Sequence, residues 1–506
     1  MGGTSGKSEV LPMKEHEANM KKPNIILIMT DEQRGDALGG LKDSIVDTPY
    51  LTQMMTQGVR FSNAYSACPI CVPARRTLMS GKSPVNHGVL MNYSTPLEGK
   101  TLPEILQESG YQTHLSGKLH LFPERKRYGF ESADWADGCY SSNPDNDYNR
   151  FLQENGLFNE AGLSHGMSYN GWAARPYHLD ERFHFSTWCT DTALRFLERR
   201  DPTSPFFLNV SYHQPHAPCT PPRYYFDKYM NTGIPDPIEG DWDNDFPNTQ
   251  NGCPVNAWRI GPKSRGIKEY RAGYFGCIEQ IDHQIGRLLY KLPDNTIVIF
   301  LSDHGEMLGD HGWIRKRSAY EGSAHIPFIV WMKPQMFAEF GIKPGTVVDD
   351  AVELMDVLPT VLDLAGLTIP ADVDGVSLLD AMRGHRLERQ YIHGECARLE
   401  TIGSGMQYLT DGKEKYIWYP ALAKEQFFDL SQDRNEQHDL ASSGDYEDRI
   451  EIWRQRLIKE LEGRPEGFVK NGKLVMLQGC TPYCVSEELM RKGSNLKDTD
   501  NGDTAK

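Results

Sequence analysis

Short apolar runs separated by polar segments mark the predicted strands of this chain. Residues 24–29, 206–210 and 296–301 consist mostly of aliphatic and aromatic side chains, several of them β-branched. Runs of this length and composition are typical of strands that are buried on both faces of a parallel sheet.

Other segments place apolar residues three or four positions apart, which is the spacing of an amphipathic helix. One such stripe lies between residues 278 and 289 and ends before Pro293, and a second lies between residues 354 and 362 and stops near Gly366. Alternation of buried strands with amphipathic helices predicts an α/β fold, with a large, mixed or mostly parallel sheet flanked by helices.

The pattern changes near residue 385. Residues 406–409 and 415–419 flank a turn at Asp411-Gly412, as in a β-hairpin, and a helical stretch near residues 451–461 follows. We therefore predict a large domain over residues 23–385 and a smaller C-terminal α+β domain over residues 386–492. The polar segments 1–22 and 493–506 are predicted to be a disordered arm or tag and a disordered tail.

Composition excludes some classes of partner. The net charge of −15 argues against a general nucleic-acid binder, which needs a basic face. No apolar stretch is long enough to span a bilayer, and residues 1–22 lack the apolar core of a signal peptide. The sequence as written predicts a cytoplasmic protein, although an exported protein whose signal had been removed would look the same. Oligomeric state is not readable from the sequence.

The ten cysteines are spread too widely to predict a disulfide framework. Cys480 and Cys484 are close enough to pair or to share a metal, but no histidine cluster lies beside them, and we predict two ordinary cysteines. Cys68 and Cys71 form a C-x-x-C pattern, which leaves a redox pair open.

The most informative segment is 71–82, which reads Cys-Val-Pro-Ala-Arg-Arg-Thr-Leu-Met-Ser-Gly-Lys. Pro73 suits the first position of a helix, because its fixed φ is helical and its missing N–H had no acceptor there. Cys71 and Arg75 stand at i and i+4 and share one face. Since a helix start attracts tetrahedral anions, a reactive side chain and a cation are both aimed where an oxyanion would lie.

This segment resembles the signature of the type I sulfatases, C-x-P-(S/A)-R followed by a Thr/Ser-Gly-Arg/Lys step. The resemblance implies an alkaline phosphatase-like fold and a maturation enzyme that converts Cys71 to formylglycine, whose hydrate is the nucleophile. Ala74 stands where many members have serine, and residues 80–82 read Ser-Gly-Lys where many have Thr-Gly-Arg.

Two acidic clusters follow predicted strands directly, at the edge where parallel sheets place their sites. They are Asp31-Glu32 and Asp303-His304. Clustered carboxylates favour a hard cation, Ca²⁺ first and Mg²⁺ second, although such acids can also merely cap helices. Both segments are similar to sulfatase metal-binding segments, and the resemblance implies that these four residues and residue 71 bind the metal. Many members have aspartate in place of Glu32 and asparagine in place of His304, so His304 could instead contact the substrate.

Three further segments resemble sulfatase motifs that carry basic residues. Lys118 and His120 stand at i and i+2, on one side of an extended chain, His216 follows the strand 206–210, and Lys316 follows the second acidic segment. A sulfate ester needs cations to match its charge and a proton for its leaving group. We predict that the neighbours of Lys316, the two arginines at positions 315 and 317, are surface charges.

The resemblance also implies a division of roles. The hydrate at position 71 would bind the metal and attack sulfur, while His216 and Lys316 assist the leaving oxygen, with His216 as the proton donor. His120 would then take a proton from the second hydroxyl, which releases sulfate and re-forms the aldehyde. Lys118 and Arg75 would hold the hydrate and the anion.

The sequence leaves rival functions and the substrate open. The rivals are a phosphate or phosphonate ester hydrolase of the same superfamily, a non-catalytic binder of sulfated glycans with an unmodified Cys71, and the thiol-redox protein. The segments 122–180 and 222–265 match no motif, and we expect them to select a carbohydrate sulfate, or else a small aryl or alkyl sulfate. Their candidate contacts are Trp135, Tyr140, Trp172, Arg175, Tyr177, His178, Trp242 and Trp258.

Overall fold

A computed structural model describes residues 22–137, 146–157, 166–168, 170–246, 257–261, 263–397, 405–477 and 484–494. The predicted arm, apart from residue 22, lies outside these ranges, as do Tyr140 and Cys480. Residues 493 and 494 end the last described helix, so this part of the predicted tail is helical, and residues 495–506 lie outside the described ranges.

An eight-stranded sheet forms the centre of the larger part of the protein, in the order β4-β3-β5-β1-β6-β7-β2-β8. Seven strands run in one direction, and β7 runs antiparallel to both of its neighbours. The predicted mixed, mostly parallel sheet is thereby confirmed. Its strands are β1 (Asn24–Asp31), β2 (Val59–Tyr65), β3 (Gln112–Gly117), β4 (Ser132–Trp135), β5 (Phe206–Pro215), β6 (Thr296–Ser302), β7 (Phe328–Met332) and β8 (Thr346–Glu353).

Helices cover both faces of this sheet, because successive side chains of a strand point to opposite faces. On β1, Leu27 packs in one core with residues of α2 and α11, while Ile28 packs in a second core with residues of α1, α6 and α8. The two predicted helical stripes lie on α8 and α11. The helices of this part are α1 (Pro49–Gln57), α2 (Cys71–Ser80), α3 (Pro84–His87), α4 (Leu102–Glu108), α5 (Asp147–Glu154), α6 (Phe185–Arg199), α7 (Arg223–Met230), α8 (Ile267–Lys291), α9 (Glu321–Ala324), α10 (Pro334–Glu339), α11 (Val357–Leu364) and α12 (Leu379–Met382).

A separate antiparallel sheet follows, in the order β12-β11-β10-β9. The predicted hairpin joins β10 to β11, and Gly412 adopts the positive φ of +84° that its turn requires. No helix among the described residues is both long and apolar enough to cross a membrane. The elements of this part are β9 (Ile392–Cys396), β10 (Met406–Thr410), β11 (Glu414–Tyr419), β12 (Lys424–Asp429), α13 (Glu447–Leu461), β13 (Val469–Lys470), β14 (Lys473–Leu474) and α14 (Glu487–Ser494).

The small sheet is covered on both faces. Tyr416 and Trp418 of β11 pack against α13, whereas Ile417 and Tyr419 pack with residues of the large part, among them Tyr320. Because side chains alternate along the strand, Lys415 of β11 lies on the same face as Ile417 and Tyr419, towards the large part.

A buried lysine ties the two parts together. The side chain of Lys415 has no exposed surface and donates to Glu321 Oε1 at 2.8 Å and to Glu436 Oε1 at 2.7 Å. Burial alone would raise the pKa of Glu321, but Arg434 and Lys415 hold it well below its ordinary value. The group is therefore an ion network inside the interface, with Arg434 Nη2 lying 2.9 Å from Glu321 Oε2.

Replacing Lys415 by methionine should destabilise the fold by about 3–5 kcal/mol, because two buried carboxylates lose their shared cation. Urea unfolding followed by tryptophan fluorescence measures this. Lys413→Met, at an exposed position on the same hairpin, is the matched control and should change the free energy of unfolding by less than about 0.5 kcal/mol. Equal stability of the two variants would contradict the role assigned to the buried network.

Candidate active site

Cys71 is the first residue of α2, and the whole of that helix is buried. Its Sγ lies 3.2 Å from His304 Nε2, 3.3 Å from Lys316 Nζ and 3.7 Å from Asp31 Oδ1. The helix begins two residues earlier than the proline predicts, so Pro73 is its third residue. This costs no hydrogen bond, because the N–H groups of the first turn have no acceptor within the helix.

Arg75 lies one turn further along α2 and is completely buried. Its Nη2 donates to Asp31 Oδ2 at 2.9 Å and its Nε to Asp303 Oδ2 at 2.8 Å, while Nη1 donates to the backbone oxygen of Lys118 and to Ser211 Oγ. The two carboxylates follow neighbouring strands, since β1 and β6 pair in register up to residues 30 and 302. Arg75 therefore holds the carboxylates side by side rather than pointing at an open space.

Four of the predicted ligands converge. Asp31, Cys71, Asp303 and His304 each offer one atom, and these atoms all lie within 4.8 Å of one another. His304 Nδ1 lies 3.0 Å from the backbone oxygen of Gly305, which can only accept, so Nδ1 carries the proton and the Nε2 lone pair faces the group. Two carboxylates and a correctly oriented imidazole form a donor set that fits a divalent cation.

Glu32, the fifth predicted ligand, is not part of this group of four. Its backbone has a φ of +71°, a conformation that non-glycine residues rarely adopt and that often marks functional sites. Its Oε1 accepts from Lys316 Nζ at 2.7 Å and its Oε2 from the backbone N–H of Ala217 at 3.2 Å. Glu32 thus connects the group of four to Lys316, and its coordination of a metal stays a prediction.

Lys118 lies on the other side of Asp31. Its Nζ is 2.8 Å from Asp31 Oδ2, and only 1% of the residue is exposed. Burial, the largest single effect, lowers the pKa of Lys118, but Asp31, Cys71 and Asp303 together raise it above its ordinary value, so the lysine is charged. His120 follows two residues later, is also buried, and has a φ of +56°.

His216 and Lys316 meet beside Cys71, with 2.9 Å between His216 Nε2 and Lys316 Nζ. His216 Nδ1 lies 2.7 Å from the backbone oxygen of Ala217 and must donate to it, which leaves Nε2 as an acceptor. Burial and the charge of Lys316 hold the pKa of His216 well below its ordinary value. The pair therefore consists of a neutral imidazole and a lysine that carries the proton.

Comparison with known proteins identifies the family. The Sulfatase family model matches residues 23–367, and a model described as the C-terminal region of N-sulphoglucosamine sulphohydrolase matches residues 309–463. The chain belongs to the sulfatase family. It is an enzyme of that family, and its large sheet with a separate small antiparallel sheet is the alkaline phosphatase-like architecture of sulfatases.

Three relatives illustrate the range of this sulfatase's neighbours. It is 38% identical to an arylsulfatase of Clostridium perfringens, over 90% of this chain and 97% of that protein. It is 25% identical to an N-acetylglucosamine-6-O-sulfatase of Bacteroides thetaiotaomicron, over 86% and 85% of the two chains. The phosphonate monoester hydrolase of Agrobacterium radiobacter has the same fold, with a TM-score of 0.72 at 22% identity over 86% of this chain and 95% of that one.

The prediction that Arg315 and Arg317 are surface charges is wrong. They are 7% and 1% exposed, and their guanidinium carbons lie 4.6 Å and 4.3 Å from the centre of the Trp258 ring. A run of three basic residues normally favours a solvated face, and the sequence gives no sign that a tryptophan 57 to 59 positions earlier packs against them. Both arginines are therefore buried beside Trp258, on either side of Lys316 in the chain.

The candidate substrate contacts separate into packing and accessible residues. Trp135, Trp172 and Trp242 are at most 5% exposed, and Trp242 stacks between His311 and Tyr320 beneath the small sheet. Such burial marks packing rather than sugar stacking. Accessible surface remains at Arg175, Tyr177, His178 and Trp258.

Sequence reasoning missed two residues that shape this site. Ser211 on β5 accepts from Arg75, and Glu306 Oε1 accepts from the backbone N–H groups of Leu308 and Arg315, which fixes the loop that leads to Lys316. Burial and the nearby Glu32 raise the pKa of Glu306 to about 7. Glu306 lies two residues after His304 in the sequence, so its position beside the second acidic cluster was the available signal.

A divalent cation should stabilise the sulfatase against heat through the group of four. At about 100 times its dissociation constant, Ca²⁺ or Mg²⁺ should add about 2.7 kcal/mol to the free energy of unfolding after treatment with EDTA. Asp303→Asn removes one ligand charge and should lower the cation's affinity about 10- to 100-fold. Differential scanning calorimetry with and without the cation measures both effects.

Asp310→Asn is the matched control, because Asp310 is a buried aspartate paired with an arginine, Arg34, outside the group of four. It should lower stability but keep the increase caused by the cation. A cation effect that survives Asp303→Asn undiminished would contradict the assignment of the group as the metal site.

Proposed function

We propose that this sulfatase hydrolyses sulfate monoesters of carbohydrates to the alcohol and inorganic sulfate, with residue 71 as formylglycine and one Ca²⁺ ion. The observation that carries the proposal is the convergence on Cys71 Sγ of a buried imidazole, a buried lysine and a carboxylate within 3.7 Å. The thiol stands where the oxygens of a formylglycine hydrate would lie. The maturation enzyme that converts the cysteine is the implied protein partner.

Asp31, Asp303 and His304 would hold the cation, and Glu32 lies beside them. When present, the cation and the formylglycine hydrate supply a polarised sulfate oxygen and a nucleophilic hydroxyl. The surrounding side chains would supply the remaining charge stabilisation and the proton transfers.

Charge balance favours an anionic ester. Three carboxylates, those of Asp31, Glu32 and Asp303, face three buried cations, those of Arg75, Lys118 and Lys316. The protein alone is therefore near neutrality at this point, and a divalent cation makes the site positive. A sulfate group entering such a buried, preorganised site gains more electrostatic stabilisation than it would in water.

Lys316 is the better placed proton donor for the leaving oxygen. Its Nζ carries the proton and lies 3.3 Å from Cys71 Sγ, whereas His216 Nε2 accepts from it. We assign the donor role to Lys316 and the role of proton-accepting partner to His216, the reverse of the order implied by the family resemblance. His120 keeps its proposed role of taking the proton from the hydroxyl at position 71.

The substrate class rests on two observations. One relative is named for a carbohydrate sulfate, and the partly exposed Trp258 lies beside Arg315 and Arg317, next to Lys316 in the chain. An aromatic face with adjacent cations suits a sugar ring that carries acidic groups. A small aryl sulfate is the second candidate, favoured by the 38% identity to an arylsulfatase.

Residue 71 should have lost its thiol in protein from the native host. Tandem mass spectrometry of the tryptic peptide ending at Arg75 should show an aldehyde or its hydrate, and Cys71→Ala should lower turnover at least about 1,000-fold while the melting temperature changes little. Cys68→Ser is the matched control, since Cys68 is an equally buried, free thiol three residues earlier, and it should stay active. An intact thiol in active protein would refute the proposed nucleophile.

Sulfate esters should be preferred over phosphate esters. We expect kcat/KM for an aryl sulfate to exceed that for the matched aryl phosphate about 100-fold or more, because the chain belongs to the sulfatase family and is 38% identical to an arylsulfatase. Steady-state kinetics on the two esters, with the same leaving group, measures this ratio. A ratio below one would favour a phosphoesterase with the fold of the phosphonate monoester hydrolase.

A further inference from the structure

The chain leaves the central sheet at Gly117, where β3 ends. Gly117 has a φ of +104°, and a side chain there would lie 2.1 Å from the backbone oxygen of Ser211. The next three residues form the loop 118–120, which carries Lys118 and His120. Because this loop has left the sheet, its backbone groups beyond the N–H of Lys118 need partners other than a neighbouring strand.

Those partners come from two sides. The backbone N–H of Lys118 donates to the oxygen of Ser211 at 2.9 Å, and Arg75 Nη1 donates to the backbone oxygen of Lys118 at 3.1 Å. On the opposite side, Asp137 Oδ1 accepts from the N–H of Leu119 at 2.9 Å and from the N–H of His120 at 2.7 Å. A single carboxylate oxygen thus binds two consecutive N–H groups of the loop.

We propose that Asp137 is a positioning residue for this reaction, which fixes the loop 118–120 and so places His120 and Lys118 at the nucleophile. This inference rests on the proposed function for the roles of those two residues. Asp137 itself contacts no member of the group of four in any described contact, so it acts through the loop.

The backbone of His120 explains why the loop needs such a partner. Its φ of +56° lies in the left-handed region, which is unfavourable for a histidine and persists only where surrounding contacts hold it. The hydrogen bond to Asp137 is made by the N–H of this same residue. Leu119, between the two site residues, is buried in the core at 4% exposure, so the loop is held at every residue.

The position of Asp137 in the fold suits this task. It lies two residues after β4, which pairs with β3 up to Gly117 and Trp135, and the N–H of Ala136 donates to the oxygen of Gly117 at 3.0 Å. The end of β4 is therefore anchored to the point where the loop begins. Burial lowers the pKa of the Arg75 guanidinium, but Asp303, Asp31 and Cys71 raise it above its ordinary value. Asp137 is close enough to Arg75 to add a smaller increase.

The test compares Asp137→Ala with Asp137→Asn in the full chain carrying formylglycine. Alanine removes both hydrogen bonds, and we expect kcat on an aryl sulfate to fall about 100-fold while KM changes less than about threefold, because a small displacement of catalytic groups is enough for such a loss. Asparagine keeps an oxygen that can accept both bonds, and kcat should stay within about threefold of wild type.

Hydrogen exchange gives a readout that is independent of turnover. Mass spectrometry of peptides covering residues 117–122 should show faster exchange of the Leu119 and His120 amides in Asp137→Ala, but not in Asp137→Asn. Asp134→Ala, three residues earlier on β4, is the matched control, since Asp134 lies near His114 and Arg195 instead, and it should leave kcat and this exchange unchanged.

Two results would overturn the inference. One is an Asp137→Ala enzyme with wild-type kcat and unchanged exchange, and the other is equal loss of kcat in both Asp137 variants, which would assign the effect to charge. If the alanine variant does not fold, a tenfold loss in Asp137→Asn overturns the inference and near-normal activity supports it. If the wild-type enzyme hydrolyses no sulfate ester, the proposed function fails, and the exchange experiment still decides whether Asp137 holds the loop.

Discussion

The site depends on one ion pair network, that of Arg75 with Asp31 and Asp303. The two carboxylates follow adjacent parallel strands, so the sheet itself forces two negative charges together at a buried edge. Two like charges in such a place repel and are poorly solvated, and the arrangement is stable only if a cation lies between them. Arg75 supplies that cation from α2. Because Arg75 and Cys71 share one face of the same helix, fixing the guanidinium also fixes the position of Cys71, the proposed nucleophile.

The same carboxylate charge organises the remaining basic residues. Asp31 binds Lys118 as well as Arg75, and Glu32, the next residue, binds Lys316, which in turn contacts His216. Residues from four loops at one edge of the sheet are thereby joined through two consecutive acids. Unfavourable backbone angles at Glu32 and His120 are tolerated because the backbone N–H of each residue donates to a carboxylate, Asp303 for Glu32 and Asp137 for His120.

Much of this arrangement can be predicted from the sequence. The features that cannot be predicted depend on contacts between distant segments. The apolar runs predict β1, β5 and β6, and the acidic clusters directly follow the runs of β1 and β6. These features are predictable because neighbouring residues determine where a strand ends. The burial of Arg315 and Arg317 depends on Trp258, and the burial of Lys415 on Glu436, contacts between segments that no period or spacing connects. Glu32 bonds to Lys316 rather than within the group of four, and its φ of +71° is likewise not predictable from residue type.

The hydrogen bonds of Arg75 also limit how the substrate can be bound. Four of them go to Asp31, Asp303, the backbone of Lys118 and Ser211, so the guanidinium has little capacity left for a sulfate oxygen. In the proposed reaction, the anion would then be held mainly by the cation and by Lys118 and Lys316. Lys118 pairs with Asp31 and Lys316 with Glu32, so two consecutive acids fix both lysines. In the proposed reaction, Trp258 would help to select the alcohol without disturbing this network.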